Sequence, residues 1–227
     1  MPHLDYDENT VKKFLEFARY GFVKGKGKPE PGECCIEVAL CYALGYTKIN
    51  DQPECVDSEV IEFKISLNDC NWNDNLTRAK WMAPLGIAQL GSKNVVKGFK
   101  ARFKELEKEE IIIPSFDWIP EDKRVPEHEE LKEFLKKEND NKKLKEKFKN
   151  YYYYNYYYYY YYYNYNYYYY YDNYYYNYND FLQKILIAST QLGLKVLKEL
   201  KSPGCKYLYL LDDWKVEEAS KSEASEQ

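Results

Sequence analysis

The chain is poor in the groups on which most enzyme and metal chemistry depends. It has two histidines, His3 and His128, and both lie in polar segments where an imidazole base would be exposed. None of its six cysteines form a pair at the C-x-x-C spacing of zinc and redox sites. The longest strongly apolar runs are about a dozen residues, too short to cross a bilayer. These absences argue against zinc, thioredoxin-like and membrane-spanning classes, and we expect no metal and no cofactor.

The overall charge gives no strong attraction to nucleic acid or to an anionic membrane. Lysine and arginine number 33 against 37 acidic residues, for a net charge of −4. The first residues, MPHLDYDENTVKKF, contain no apolar segment of the kind found in signal peptides. We therefore expect a cytoplasmic protein with reduced cysteines that binds neither nucleic acid nor membrane.

Two short segments match part of a known binding motif but lack residues that the motif requires. Residues 25–28 (GKGK) lack the earlier glycine of a phosphate-binding loop, and Pro29 follows where Ser or Thr would hold magnesium. Residues 69–73 (DCNWN) match the first ligand positions of a calcium-binding EF-hand. Asp74 then replaces its glycine, and Lys80 replaces the bidentate glutamate. We interpret the second fragment as a polar turn that caps a helix.

Nearly every periodic segment has the spacing of an amphipathic helix, so the sequence predicts an all-α, irregular multi-helix bundle. Pro84 should kink or break one of these helices near Met82. The three prolines between residues 112 and 126 predict irregular backbone, and residues 206–214 fit either a helical turn or an edge strand. Helices are predicted over residues 7–20, 34–44, 58–68, 74–90, 94–106, 127–149 and 181–200.

Glu37 is the only charge on the otherwise apolar helix 34–44. A buried carboxylate requires a partner of opposite charge or a set of hydrogen-bond donors. Arg78 faces the apolar side of its own helix, near Ala79 and Met82. The sequence therefore predicts a structural ion pair between Glu37 and Arg78, and no catalytic residue.

Cys34 and Cys35 stand at the predicted start of the helix 34–44. A helix N-terminus can lower the pKa of a thiol and create a nucleophile. The alternative interpretation is that these cysteines are small buried apolar residues. A small thiol-dependent enzyme using Cys34 or Cys35 is therefore the alternative function.

Residues 151–178 (the tyrosine tract) contain 22 tyrosines, five asparagines and Asp172. They include no glycine, proline or positive charge, and too little diversity for a catalytic motif. The codons for Tyr, Asn and Asp differ only in their first base. Expansion of an AT-rich repeat is therefore an open explanation of the composition, beside selection for aromatic surface.

Helix, strand and disorder compete for the tract. Tyrosine costs roughly half a kcal/mol per residue against alanine in a helix, which favours strand. The asparagines do not alternate as a strand requires. Instead Asn155, Asn166 and Asn177 recur every 11 residues, close to three helical turns. Helix is the preferred prediction, with a length of roughly 40 Å.

Four segments resemble a group of uncharacterised bacterial helical proteins: CCIEVALCYALGY, DQPECVDSEVIEFKISLNDCNW, RAKWMAPLGIAQLGS and LGLKVLKELKSPGCKYL. In that group an Ala-rich run with Tyr and Asp precedes the last helix. The resemblance implies that the tyrosine tract takes the place of a long helix, and it brings no catalytic residue. A weaker similarity, based on Ala/Tyr-rich runs, is to putative bacterial toxin-immunity proteins.

These observations predict three regions: an N-terminal helical domain (1–126), a region 127–213 with a charged helix, the tract and the C-terminal helix, and an acidic flexible tail (214–227). The preferred function is non-enzymatic association with a protein partner or with itself, since tyrosine is typical of interface hot spots. Single-strand nucleic-acid binding, through lysines 142–149 and tyrosine stacking, is a third hypothesis that the acidic net charge disfavours. The candidate interaction surface comprises Tyr151, Tyr156, Tyr160, Tyr163, Tyr167, Tyr171 and Tyr174.

Overall fold

The computed structural model describes residues 6–46, 52–118, 121, 126–137 and 171–216. Over these residues it has eight α-helices and no strand, which confirms the predicted all-α fold. The α-helices are α1 (Glu8–Arg19), α2 (Ile36–Ala43), α3 (Ser58–Asn68), α4 (Asn75–Ala88), α5 (Phe99–Glu107), α6 (Ile113–Ser115), α7 (Pro126–Lys137) and α8 (Tyr171–Glu199). Shorter 3-10 helices cover Ser92–Asn94, Phe116–Trp118 and Pro203–Leu211, and a π-helical turn covers Lys108–Ile112.

Aspartate side chains start three of these helices. The Asp7 carboxylate accepts a hydrogen bond from the backbone N–H of Thr10 at 2.8 Å, and the Thr10 hydroxyl lies 3.3 Å from the Asp7 N–H. Asp57 and Asp74 accept from backbone N–H groups in the first turns of α3 and α4. Such caps satisfy donors that a helix leaves unpaired at its N-terminus. The predicted starts of α1, α3 and α4 depend on this local chemistry.

The chain folds into two compact units, and the first unit is discontinuous in sequence. It combines Met1–Glu105 with Leu186–Gln227, whereas the second unit spans Leu106–Ile185. This division differs from the predicted boundary at residue 126. The reason is that the C-terminal half of α8 packs against the N-terminal helices. At Gly193 a Cβ atom would lie 2.5 Å from the ring of Phe63.

Helices α1, α2 and α4 form the centre of the first unit. Their buried side chains include Phe14, Ile36 and Leu40, which have no solvent-exposed surface. Helix α4 approaches α1 closely at Gly86, where a Cβ atom would lie 2.3 Å from the Phe14 ring. Because Gly86 has no side chain, the Phe14 ring can pack directly on the backbone of α4.

The segment after α8 packs on α4 and α1. The backbone N–H of Gly204 donates to the Leu90 carbonyl at 2.9 Å. The Tyr209 hydroxyl donates to Glu8, and the Trp214 indole N–H donates to the Leu15 carbonyl, each at 2.9 Å. This segment is a 3-10 helix, so the helical alternative for residues 206–214 was the correct one.

The structure changes three local predictions. Helix α4 runs through Pro84 to Ala88, so the predicted break does not occur, and a kink at Pro84 stays a prediction. Helix α5 begins at Phe99 and not at residue 94, because Gly98 has a φ of 69° that an ordinary helical residue avoids. Within the segment 112–126 that was predicted to be irregular, residues 112–118 are helical, with Pro114 in the first turn of α6, where its missing N–H is not needed.

The described part of the second unit contains a small apolar cluster. Ile113 and Phe116 are buried with Leu135 of α7, and Ile112 and Phe134 pack against them. Lys132 of α7 forms an ion pair with Asp117 beside this cluster.

Helix α8 includes the last residues of the tyrosine tract, from Tyr171 onward. The expected helix is therefore seen for this end of the tract, and residues 151–170 lie outside the described residues. Lysines 142–149 and the tail beyond residue 216 also lie outside them. In the part of the chain that the structure describes, no helix combines the length and apolar character needed to cross a membrane.

We expect Gly204→Ala to destabilise the first unit by about 3 kcal/mol or more, because overpacking against rigid atoms cannot relax easily. A Cβ at this position would lie 2.1 Å from the Ile87 carbonyl oxygen and 2.9 Å from the Leu90 nitrogen, and both are backbone atoms. Urea unfolding followed by circular dichroism measures the loss.

Gly45→Ala is the matched control. Gly45 has a φ of 77° and open space around the added methyl group, so only backbone strain of about 1–2 kcal/mol is expected. Equal losses in the two variants would contradict the close backbone approach at Gly204.

Candidate functional site

A buried ion pair joins α2 to α3. The Glu37 carboxylate and the Lys64 ammonium lie 2.6 Å apart, and neither side chain has any exposed surface. The side-chain amide of Gln89, which follows α4, donates to the second carboxylate oxygen of Glu37 at 3.2 Å. One carboxylate thus connects three helical segments of the first unit.

The prediction that Glu37 pairs with Arg78 is wrong, because the partner of Glu37 in the structure is Lys64. Arg78 is buried as expected, but its guanidinium donates to the Phe22 carbonyl at 2.5 Å and to the Asn75 side chain at 2.7 Å. These bonds hold the loop after α1 against the start of α4. A rigid guanidinium fork is well suited to several fixed acceptors, whereas the flexible lysine reaches the single carboxylate.

Lys64 and Gln89 are the residues that the sequence prediction missed. Val60 and Ile61 are buried on the apolar face of α3, whereas Ile65 is only partly buried and Lys64 lies in the core instead. A signal was present, because residues 60, 61, 64 and 67 have the spacing of one helical face. A lysine in the middle of that face indicates a buried charge that requires a carboxylate.

The environment of Lys64 lowers the pKa of its ammonium group. Burial is the largest cause, and the Glu37 carboxylate acts in the opposite direction. A lysine with a lowered pKa can act as a nucleophile when substrate reaches it. Lys64 has no exposed surface, so the arrangement supports a structural role for the amine.

Cys34 and Cys35 lie at the start of α2, as predicted. The backbone N–H groups of Glu37 and Val38 donate to the Cys35 sulfur and favour its thiolate, but burial is the larger effect and raises the pKa of the Cys35 thiol. Burial also raises the pKa of the Cys34 thiol, to about 12. At neutral pH both groups are protonated thiols, which are weak nucleophiles.

The two motif fragments contact each other. The backbone N–H of Gly25 donates to Asp69 at 2.8 Å, and the Lys24 ammonium donates to Asn71 at 2.9 Å. The polar side chains after α3 therefore hold residues 24–28 (the Gly/Lys loop) in place. Among the described residues, no group of three or more His, Cys, Asp or Glu side chains is arranged to hold a metal ion.

A wide surface depression of about 720 Å³ lies at the start of α4 and is lined by Asp74, Thr77, Lys80 and Val216, among others. The Asp74 carboxylate already accepts from the N–H and the hydroxyl of Thr77, each at 2.7 Å. The depression therefore lacks the convergent polar groups typical of a ligand site.

Two members of the predicted tyrosine surface, Tyr171 and Tyr174, lie in α8. Tyr151, Tyr156, Tyr160, Tyr163 and Tyr167 lie outside the described residues. His3 also lies outside them, and His128 is on α7.

Comparison of the chain with protein-family models, with curated proteins and with solved structures gives no significant match.

We expect Lys64→Met to lower the free energy of unfolding by about 3–5 kcal/mol, because it leaves a buried carboxylate without its counter-charge. Adding Glu37→Gln should recover most of this loss, because it removes the unpaired charge. Urea unfolding of the two single variants and the double variant measures the coupling.

Lys100→Met is the matched control, since it removes the exposed ion pair between Lys100 and Glu62, whose atoms lie 3.1 Å apart. Its cost should be below about 1 kcal/mol. If Lys64→Met lowers the free energy of unfolding as little as this control does, the buried charge is not important for stability.

The raised pKa of Cys34 predicts that stability falls as the pH rises above about 9. The thiol of the unfolded chain has an ordinary pKa of 9.0, whereas the folded protein keeps its proton until about 12. The folded state therefore binds more protons than the unfolded state between these two pKa values. As the pH rises through this range, the contribution of Cys34 to the free energy of unfolding falls by at most about 4 kcal/mol.

The test is to measure the free energy of unfolding of the native protein and of Cys34→Ala from pH 8 to 11. The two proteins are compared by how steeply this free energy falls with pH, and not by its absolute value. We expect a shallower fall in the variant. Rapid alkylation of native Cys34 by iodoacetamide near pH 8 would show that the thiol is neither buried nor protonated.

Proposed function

We propose that this protein acts by contact with a protein partner or with a second copy of itself, without catalysing a reaction. The observation that carries the proposal is the continuity of α8 with the tyrosine tract. The described part of the helix runs from Tyr171, inside the tract, to Glu199, and its side chains Leu192, Val196 and Leu197 are buried in the first unit. The end of the tract is thus anchored to a packed helix.

Tyrosine suits a contact surface for physical reasons. Its ring offers a large apolar area with few rotatable bonds, and its hydroxyl can bind polar groups of a partner. Outside the tract, the large exposed aromatic side chains of the described residues are Tyr20, Tyr42 and Tyr209. Single exposed rings of this kind occur on most protein surfaces, so the tract is the surface on which the proposal depends.

The alternative function, a thiol-dependent enzyme, has less support. Cys34 and Cys35 are buried, and their pKa values are raised. The two most unusual ionisable groups of the core, Glu37 and Lys64, face each other. Reactive thiols instead combine a lowered pKa with access to solvent.

The resemblance to toxin-immunity proteins gives a narrower form of the proposal, in which the partner is a protein toxin and the contact takes place in the cytoplasm. In this form the protein blocks its partner by occupying a surface. A gene for such a toxin beside the gene for this chain would favour it.

The test compares the full chain with a variant whose residues 151–178 are replaced by an Ala/Lys/Glu helix of equal length. We expect the full chain to form dimers or larger species in size-exclusion chromatography with light scattering, and the variant to be a monomer. The reason is that the replacement keeps the length and removes the aromatic area.

A second variant carries the same 28 residues of the tract in shuffled order. It keeps every tyrosine ring and loses the 11-residue spacing of the asparagines. It therefore shows whether association depends on the tyrosine content or on the order of the residues. If all three proteins are monomers and none binds a protein partner, the proposal is wrong.

A further inference from the structure

A small cavity lies between the Gly/Lys loop, the start of α2 and the end of α3. Its volume is about 40 Å³, which is enough for one water molecule. The inference drawn from it is independent of the proposed function. The lining residues are Gly25, Lys26, Cys35, Ile36, Glu37, Ile65, Asn68 and Asp69.

Asn68 lines this cavity and carries an acceptor that has no donor among the described residues. Its side chain is 2% exposed, and its amide nitrogen donates to the Val23 carbonyl at 3.0 Å and to Asp69 at 3.1 Å. These two bonds fix which way the amide is oriented. The amide oxygen has no hydrogen-bond partner among the described residues, and a buried acceptor without a donor costs about 1–3 kcal/mol.

The other polar groups of the lining are also rich in acceptors. Glu37 uses its two oxygens for Lys64 and Gln89, and Asp69 accepts from Gly25 and Asn68. Each carboxylate oxygen can accept more than one hydrogen bond. A small donor inside the cavity can therefore bind the Asn68 amide oxygen and a carboxylate at the same time.

We propose that the cavity binds one water molecule, which donates one hydrogen bond to the Asn68 amide oxygen and the other to the carboxylate of Glu37 or Asp69. A neutral donor fits better than a cation, because Lys26 lines the cavity and Lys64 is paired to Glu37 beside it. Where its second bond goes to Glu37, the bound water links α3 to α2 and adds a donor to the buried carboxylate.

A high-resolution crystal structure of the full chain tests the site directly, with crystals grown in sodium chloride and in rubidium chloride. We expect a density peak within about 3 Å of the Asn68 amide oxygen in both salts, without an anomalous signal from rubidium. Absence of the peak, or a protein donor on this oxygen, overturns the proposal. A rubidium signal also overturns it, because the site would then bind a monovalent cation.

Water–protein Overhauser spectroscopy tests the same site in solution. The native protein should show cross-peaks between water and the backbone amide protons of Gly25 and Ile36. Asn68→Leu should abolish them, and Asn71→Leu, which changes an exposed neighbour that binds Lys24, should keep them. Unchanged cross-peaks in Asn68→Leu contradict the assignment, and if that variant fails to fold the crystal structure of the native protein decides.

Discussion

The buried ion pair between Glu37 and Lys64 is the interaction on which the first unit depends. Apolar packing is nearly non-directional and tolerates small shifts of one helix along another. A buried carboxylate does not, because an ammonium or amide that moves by an ångström leaves a charge unpaired. Glu37 on α2 binds Lys64 on α3 and Gln89 after α4. These three segments therefore have one favourable register, and the apolar side chains around them pack in the arrangement that this register allows.

The same dry environment determines the chemistry of the cysteines. At the start of α2 the helix N-terminus favours a thiolate, and the loss of water favours a thiol. Burial is the larger effect at Cys35, even though two backbone N–H groups donate to its sulfur. A position that is typical of a catalytic cysteine thus becomes an inert apolar site. Placement at a helix terminus indicates reactivity only where solvent also reaches the sulfur.

The sequence predicted local features well and contacts between helices less well. The aspartate caps and the apolar faces depend on neighbouring residues, so α1 to α4 were found close to their actual bounds. The burial of Glu37 followed from its apolar neighbours. Its partner depended on how three helices pack, and Arg78 and Lys64 were both basic residues on partly apolar faces. Arg78 donates to the Phe22 carbonyl and to the Asn75 side chain. The periodicity of the sequence does not indicate these two contacts. The small cavity beside Asn68 was invisible for the same reason, because its walls come from a loop and two helices.

The discontinuity of the first unit has a consequence for how the gene can change. Residues 106–185 connect two parts of one folded body, so for that body they act as a closed loop. Insertion or loss of whole codons between residues 151 and 170 changes the length of this connection and alters no residue of the first unit. A repeat of tyrosine codons can lengthen or shorten over generations there while the core that flanks it in sequence stays intact.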